Sequence, residues 1–235
     1  MDLRRLKKYC VDIVFCIDTT GSMSPIIRSV KKYAVDFYDK VHFEMELQGK
    51  QVDLLRVKVI SFRDFACDGE EALKQSDFFV LDEQKTEFED YVNGLRASGG
   101  GDEPENALEA LVEAIRSDWT FEGAKKRQII VLFTDASSLP LLERERTAGY
   151  PADMPQNIDE LNAMWMGAAP FGASSYDPEA GRLIIMAPNV EPWIQIASTF
   201  ERCWFKKVED GTGLEDVNMD DVVNLIVKSI GGSQM

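Results

Sequence analysis

Three oxygen-bearing side chains follow a strongly apolar stretch near the start of the chain. The run VDIVFCID ends in Asp18, and Thr20 and Ser22 occupy the next two alternate positions. Such a run predicts a buried strand, so the three side chains are expected on one turn at its C-terminal end. A carboxylate and two hydroxyls suit a hard divalent cation such as Mg²⁺. The sequence therefore predicts a metal site whose remaining ligands lie elsewhere in the chain.

A helix is expected directly after this turn, with Ser24 as its N-cap and Pro25 in its first turn. The apolar residues that follow recur at three- and four-residue spacing, which predicts a long amphipathic helix with one face on a sheet. The predicted metal turn thus lies between a strand end and a helix start. The apolar positions of this helix are Ile26, Ile27, Val30, Ala34, Phe37, Tyr38 and Val41.

A second informative stretch reads SGGGDEPEN at positions 98–106 and precedes a predicted helix that begins at Ala107. Its three glycines permit a tight loop that could hold either a phosphate or a metal ion. The carboxylates of Asp102, Glu103 and Glu105 would repel a phosphate, whereas they favour a cation. Taken alone, the stretch favours a plainer interpretation, because acidic residues beside a first-turn proline also stabilise helix starts.

The run RQIIVLFTD at positions 127–135 repeats the pattern of the first strand, since it is apolar and ends in Asp135. In a parallel sheet the carboxyl ends of the strands share one edge, where ligands gather. Asp18 and Asp135 would therefore face the same crevice if their strands are neighbours. Two strand-end aspartates and an acidic glycine loop together favour a cation site over chance.

The other apolar runs alternate between strand and helix patterns, which predicts an α/β architecture. Residues 63–65 are interpreted as the exit of a strand from the sheet, and residues 137–157 as a long surface loop beside the site. A further loop is expected at 167–181. Further strands are predicted at 54–62, 78–81 (an edge strand), 182–187 and 202–208, and helices at 87–95, 158–166, 192–200 and from Met219, with Asn218 as cap and Gly231 as stop.

Composition limits the classes of partner. The 235 residues suit one domain, 1–235, and 41 acidic against 26 basic residues leave a net charge of -15. Such a charge argues against nucleic acid and anionic membranes and favours cations or basic protein surfaces. The apolar segment near the N-terminus is too short for a leader peptide, and no run reaches the roughly 18 apolar residues that span a bilayer. Scattered cysteines without a CxxC pair predict buried reduced thiols, and hence a cytoplasmic protein.

Asp18-x-Thr20-x-Ser22, the acidic glycine loop and the strand-end Asp135 together resemble the von Willebrand factor A (vWA) domain and its metal-ion-dependent adhesion site. The resemblance covers nearly the whole chain. It implies an open, doubly wound, mostly parallel six-stranded sheet, with one antiparallel edge strand and helices on both faces. The metal loops would be residues 18–24, 98–106 and 134–138.

Many members of that family place a threonine in the second loop, where this chain has GGGDEPE. That form is similar to integrin β-subunits, which use a glutamate after proline, so the resemblance implies Glu105 as a ligand. Asp102 would be a ligand or a residue that shapes the backbone. By the same resemblance, Thr20 and Ser22 contact the cation directly, and Asp18 and Asp135 bind it directly or through water. A sixth position would accept a carboxylate from a protein partner.

The chain also resembles bacterial cytoplasmic vWA proteins of tellurium-resistance and stress-response gene clusters, which are thought to act as scaffolds beside kinases and phosphatases. The expected function is therefore a non-enzymatic, metal-dependent protein-binding module with Mg²⁺, or alternatively Mn²⁺ or Ca²⁺. Two alternatives stay open: a scaffold with a degenerate, metal-free site, and a Mg²⁺-dependent phosphoryl-transfer enzyme. Against the enzyme, the chain has no GxxxxGK[ST] loop, and Thr20 stands where a DxD motif needs its second acid. The sequence leaves the oligomeric state undetermined.

Overall fold

The computed structural model describes residues 9–100, 104–168, 175–212, 214–215 and 217–231. Seven strands in these ranges form one sheet: β1 (Tyr9–Asp18), β2 (Leu54–Phe62), β3 (Leu73–Gln75), β4 (Phe79–Val80), β5 (Lys125–Phe133), β6 (Gly181–Pro188) and β7 (Cys203–Val208). Their order is β3-β2-β1-β5-β6-β7, with β4 also paired to β2. The five long strands are parallel, and β3 and β4 are antiparallel to β2.

This sheet confirms the expected α/β class, with a correction at its edge. One antiparallel strand was expected, whereas β3 and β4 each pair with a different part of β2. The sequence signal missed β3 because it is three residues long and half-buried to exposed, so it carries no apolar run. Both short strands still occupy the side of β2 that faces away from β1.

Helices cover both faces of the sheet: α1 (Ser24–Leu47), α2 (Phe65–Asp68), α3 (Leu81–Gly94), α4 (Ala107–Ile115), α5 (Ile158–Trp165), α6 (Trp193–Thr199) and α7 (Met219–Gly231). One apolar core lies between the sheet and α1, α3 and α7, and a second lies between the sheet and α4, α5 and α6. Ile13 and Ile17 enter the first core, and Val14 and Cys16 enter the second. Strands buried on both faces read as continuous apolar runs, which explains the pattern of β1.

The expected N-cap at Ser24 is wrong. Thr20 precedes a 3₁₀ turn over Gly21–Met23 that continues into α1. Ser24 is the first residue of α1, and its hydroxyl donates a hydrogen bond of 3.1 Å to the carbonyl of Gly21. The 3₁₀ turn leads directly into α1, and α1 begins without a side-chain cap. The cap at Asn218 is confirmed, since its Oδ1 accepts a hydrogen bond of 2.9 Å from the amide of Asp220.

Residues 137–157 form an irregular segment beside the carboxyl edge of the sheet, and Leu139, Leu141 and Met154 bury their side chains there. The four cysteines are free thiols, as expected, but only Cys10 and Cys16 of these four are buried, whereas Cys203 is half-buried and Cys67 is exposed. Asp102 lies outside the described residues. None of the helices in the described ranges has the length and apolar character needed to cross a bilayer.

Candidate metal centre

The candidate site lies where β1 and β5 end side by side. These strands are parallel neighbours, and Ile17 is in register with Phe133. After β1 the chain continues to β2 on one side, and β5 returns on the other side of β1. In open α/β sheets, ligands bind in the crevice at such a topological switch point. The condition for Asp18 and Asp135 to face one crevice, that their strands are neighbours, is therefore met.

Asp18 is fully buried at the end of β1 and is held by three donors. Its Oδ1 accepts hydrogen bonds from the amide of Thr20 at 2.9 Å and from the hydroxyl of Thr20 at 2.7 Å. Its Oδ2 accepts a hydrogen bond of 2.8 Å from the hydroxyl of Thr134. The short loop after β1 therefore folds back onto the carboxylate, as aspartates commonly arrange in turns.

Ser22 connects this cluster to Asp135. Its hydroxyl donates a hydrogen bond of 3.0 Å to Oδ1 of Asp135 and lies 3.4 Å from the hydroxyl of Thr20. Asp18, Thr20, Ser22 and Asp135 therefore form a continuous chain of oxygen atoms across the two strand ends. Asp135 is buried, whereas Ser22 is exposed, so the cluster opens to solvent at Ser22.

Glu105 approaches the cluster from the second loop. Its side chain is buried, and a Cβ added to Gly100 would lie 3.0 Å from its Oε1 and 2.7 Å from Cγ2 of Thr20. The backbone of Gly100, with φ +75, thus fits between Thr20 and Glu105 where a side chain would not. The amide of Leu139 donates a hydrogen bond of 2.8 Å to the carbonyl of Glu105, which joins the second loop to the segment after β5.

The electrostatics of Asp18 depend on burial. Desolvation raises the pKa of its carboxyl to about 6, although the hydrogen bonds from Thr20 and Thr134 act in the opposite direction and nearby Asp135 raises it further. Among the described residues, no lysine or arginine forms a hydrogen bond or ion pair with Asp18. A buried carboxylate without a cation is costly, and a bound cation would offset that cost.

The donor set fits a hard cation. Asp18, Asp135, Glu105, Thr20 and Ser22 supply only oxygen, which Mg²⁺, Mn²⁺ and Ca²⁺ prefer. Within the described ranges, no three histidine, cysteine, aspartate or glutamate side chains are grouped so that they could hold a metal by themselves. A cation at this place would therefore depend on the two hydroxyls as well as on the carboxylates.

Comparison with known proteins identifies the family. A model described as von Willebrand factor type A domain matches residues 13–137, which is more than half of the chain. The chain belongs to the von Willebrand factor type A domain family. The matched segment runs from β1 to just after β5 and contains every candidate ligand of this vWA domain.

One similar relative is the alpha-protein kinase vwkA of Dictyostelium discoideum, which is 26% identical over 149 residues. The match covers 63% of this vWA domain chain and 22% of the relative, so most of that protein lies outside the comparison. Among solved structures, the pilus adhesin SpaC of Lactobacillus rhamnosus GG superposes with a TM-score of 0.57 at 10% identity, over 94% of this chain and 31% of the adhesin. Proximal thread matrix protein 1 of the mussel byssus gives 0.51 at 12% identity, over 94% and 48%. These structures share the fold.

Several residues that organise the vWA site were missed by the sequence reading. Thr134 lies in the predicted metal loop 134–138, but its hydrogen bond to Asp18 was not predicted. Arg63 and Asp64 were read as marking the exit from the sheet, yet Asp64 caps α2 by accepting a hydrogen bond of 2.9 Å from the amide of Ala66. Asp64 also accepts a hydrogen bond of 3.2 Å from Nε of Arg144, which lies in the segment 137–157. Thr134 and Asp18 are 116 positions apart, and Asp64 and Arg144 are 80 positions apart, so local spacing carries no signal for these two contacts.

Proposed function

We propose that this vWA domain is a non-enzymatic, metal-dependent protein-binding module. The ligands of the cation are Asp18, Thr20, Ser22, Glu105 and Asp135. Domains of this family typically act as protein-interaction modules, which supports the general class. The metal dependence and the chemistry of the partner are the parts that this proposal adds.

One observation carries the proposal: a line of oxygen donors joins two buried aspartates at the switch point of the sheet, and Asp18 has no paired basic residue among the described ones. A bound Mg²⁺ keeps exchangeable positions and supplies positive charge, which would attract a carboxylate of a partner protein. The chain itself orients Asp18 through Thr20 and Thr134 and leaves Ser22 facing solvent. In the proposed binding mode, an acidic side chain of the partner would approach from this open side of the cluster.

The segment 137–157 is proposed to select the partner. Its position beside the site is held by the ion pair between Arg144 and Asp64 and by a hydrogen bond of 2.7 Å from the Tyr150 hydroxyl to Glu109. A segment fastened at two points presents a defined surface to a partner. The resemblance of DTTGSM and GGGDEPE to bacterial stress-cluster proteins supports a role as a cytoplasmic scaffold in a stress or phospho-signalling system.

An enzymatic function has one observation in its favour, since the relative from Dictyostelium discoideum is named a protein kinase. That name describes a protein of which the match covers 22%. Domains of the vWA family are generally non-catalytic. The proposal therefore assigns this chain to binding rather than to phosphoryl transfer.

The first test is thermal unfolding and calorimetric titration with Mg²⁺ and Mn²⁺ after treatment with a chelator. A cation that binds only the folded state adds about 2.7 kcal/mol of stability at 100 times its dissociation constant. Ser22→Ala should abolish most of this gain because it removes a ligand. Ser24→Ala is the matched control, since Ser24 lies two residues away and its hydroxyl donates a hydrogen bond to the carbonyl of Gly21 rather than to a candidate ligand side chain. Equal stability of the wild type with and without metal would favour the metal-free scaffold.

The second test concerns the partner. A peptide display library is screened on the immobilised chain in millimolar Mg²⁺. We expect enrichment of peptides with aspartate or glutamate, and loss of their binding in chelator and on Ser22→Ala. Enrichment that is equal in chelator would contradict the proposed binding mode even if the metal site exists.

A further inference from the structure

The turn after β2 contributes no candidate ligand, yet it contacts the loops that do. We call residues 63–68, RDFACD, the β2 corner. Its last residue, Asp68, accepts a hydrogen bond of 2.9 Å at Oδ2 from the amide of Gly100. Its Oδ1 pairs with Nη1 of Arg63 at 3.4 Å. The side chains of Arg63 and Asp68 are both mostly buried, so the surrounding protein restrains their positions.

Arg63 joins the β2 corner to the first metal loop. Its Nε donates to the carbonyl of Thr19 at 3.2 Å and to the hydroxyl of Thr19 at 3.1 Å. Its Nη2 donates to the carbonyl of Arg96 at 3.3 Å. One guanidinium therefore contacts the end of β1, the segment before the glycines and Asp68. The amide of Ser98 adds a hydrogen bond of 3.0 Å to the carbonyl of Thr19.

The glycine segment has no free space between the β2 corner and the candidate ligands. A Cβ at Gly99 would lie 2.3 Å from Oδ1 of Asp68, and one at Gly100 would lie 2.7 Å from Cγ2 of Thr20 and 3.0 Å from Oε1 of Glu105. Both glycines have positive φ. The backbone of Gly100 thus lies close to Asp68 on one side and to Thr20 and Glu105 on the other.

We propose that Asp68, oriented by Arg63, is a positioning residue that holds Gly100 between Thr20 and Glu105 and thereby sets the affinity of the metal site. This inference rests on the proposed function. Hydrogen bonds to a carboxylate are stronger than those between neutral groups, so Asp68 restrains the Gly100 amide firmly. Loss of a partner that orients metal ligands from outside typically lowers metal affinity by about 10 to 100 times.

The contact itself is tested in the chelated protein. The exchange rate of the Gly100 amide with deuterated solvent is measured by NMR for the wild type, Asp68→Ala and Asp68→Asn. Asp68→Ala should exchange faster at Gly100, whereas Asp68→Asn should retain protection because the amide oxygen still accepts the bond. Unchanged exchange in Asp68→Ala would overturn the proposal.

The effect on metal is tested by Mn²⁺ titration calorimetry of the same proteins. We expect Asp68→Ala to bind Mn²⁺ about tenfold more weakly, and Asp68→Asn to recover most of the affinity. The matched control is Asp177→Ala, because Asp177 also joins a basic side chain, Lys126 at 3.0 Å, and a backbone amide, Glu179 at 3.1 Å. Asp177 lies at the amino edge of the sheet, so its loss should leave Mn²⁺ affinity unchanged.

The outcomes separate this proposal from the function on which it rests. A wild type that binds no Mn²⁺ overturns the proposed function and this inference with it. A wild type that binds Mn²⁺ as tightly as Asp68→Ala overturns only the positioning role. An Asp68→Asn variant as weak as Asp68→Ala also overturns it, because the charge of Asp68 and not its bond to Gly100 would then act on the cation. If Asp68→Ala does not fold, Arg63→Gln replaces it and should weaken Mn²⁺ binding, and unchanged affinity would again overturn the role.

Discussion

Asp12 and Asp18 lie on the same strand, β1, and both are fully buried. Asp12 lies toward the amino end of the strand, and Asp18 lies at its carboxyl end. Asp12 is paired with Arg56 through two hydrogen bonds of 2.8 and 2.6 Å, and it accepts a third of 2.7 Å from the amide of Thr120. Among the described residues, Asp18 accepts hydrogen bonds from the amide and hydroxyl of Thr20 and from the hydroxyl of Thr134. Arg56 thus supplies a positive charge to Asp12, whereas no lysine or arginine in the described part of the chain pairs with Asp18.

This difference separates a carboxylate that an arginine of the protein neutralises from one that the proposal assigns to a bound cation. A buried carboxylate needs compensating charge or hydrogen bonds. Arg56 satisfies that need for Asp12. The Cζ atom of Arg56 also lies 4.4 Å from the centre of the Phe78 ring. At the carboxyl edge, the oxygen donors around Asp18 match those that a hard cation prefers. The same strand therefore combines a closed ion pair and a candidate metal site.

The largest expected effect breaks the closed end of the comparison. Arg56→Ala leaves Asp12 buried without its partner, which should lower the free energy of unfolding by about 3 to 5 kcal/mol. Urea denaturation measures this loss, which should be equal in Mg²⁺ and in chelator. Arg202→Ala is the control, because Arg202 pairs with Glu179 at the surface and should cost at most about 1 kcal/mol. Equal losses in both variants would show that the buried pair stabilises the protein no more than the surface pair does.

A second prediction exchanges the two aspartates for asparagine. With Mg²⁺ at 100 times its dissociation constant, the wild type and Asp12→Asn should each gain about 2.7 kcal/mol over the chelated form, and Asp18→Asn should gain none. In chelator, Asp12→Asn should be less stable than Asp18→Asn, because Asp12→Asn leaves Arg56 without a charged partner. Differential scanning calorimetry with and without Mg²⁺ measures both effects. A metal-dependent gain that survives Asp18→Asn would remove Asp18 from the site.

The smallest expected effect concerns Glu109, a third buried carboxylate. Burial raises the pKa of Glu109, while the hydrogen bond from Tyr150 opposes the rise. A raised pKa means that Glu109 lowers the stability of the folded state as pH rises above its unfolded pKa. Glu109→Gln should therefore stabilise the protein at neutral pH, and its advantage should shrink as pH falls through the raised pKa of Glu109 and vanish below about 4.3, the ordinary pKa of glutamate. Unfolding free energies from pH 3.5 to 7.5 measure this trend, and a gain that stays constant with pH would contradict it.

The fold was largely predictable, since its long elements carry strong periodic signals. The strand expected at 54–62 matches β2 residue for residue, and α4 begins at Ala107 as expected. The start of α1 was misread at Ser24, because a 3₁₀ turn and a side-chain cap leave similar sequence patterns. The short elements β3 and α2 carried no signal, because three or four residues cannot show a period.

The candidate site was predictable in part. Asp18, Thr20 and Ser22 are adjacent along the chain, so their spacing alone indicated a cluster. Asp135 could be added because its strand repeats the pattern of β1 and ends in an aspartate, although the pairing of the two strands was known only from the structure. The positioning role inferred for Asp68 could not be read from the sequence, since its partner Gly100 is 32 residues away.

The sequence by itself determined the apolar strands, the oxygen motif and the acidic loop, because each depends on residues next to one another. Only the tertiary structure decided that Arg56 neutralises Asp12, that no arginine or lysine in the described residues pairs with Asp18, and that Asp68 holds Gly100. Those outcomes depend on contacts between residues 32 to 44 positions apart. Packing of the whole sheet and its helices brings such residues together, and no local sequence pattern encodes that packing.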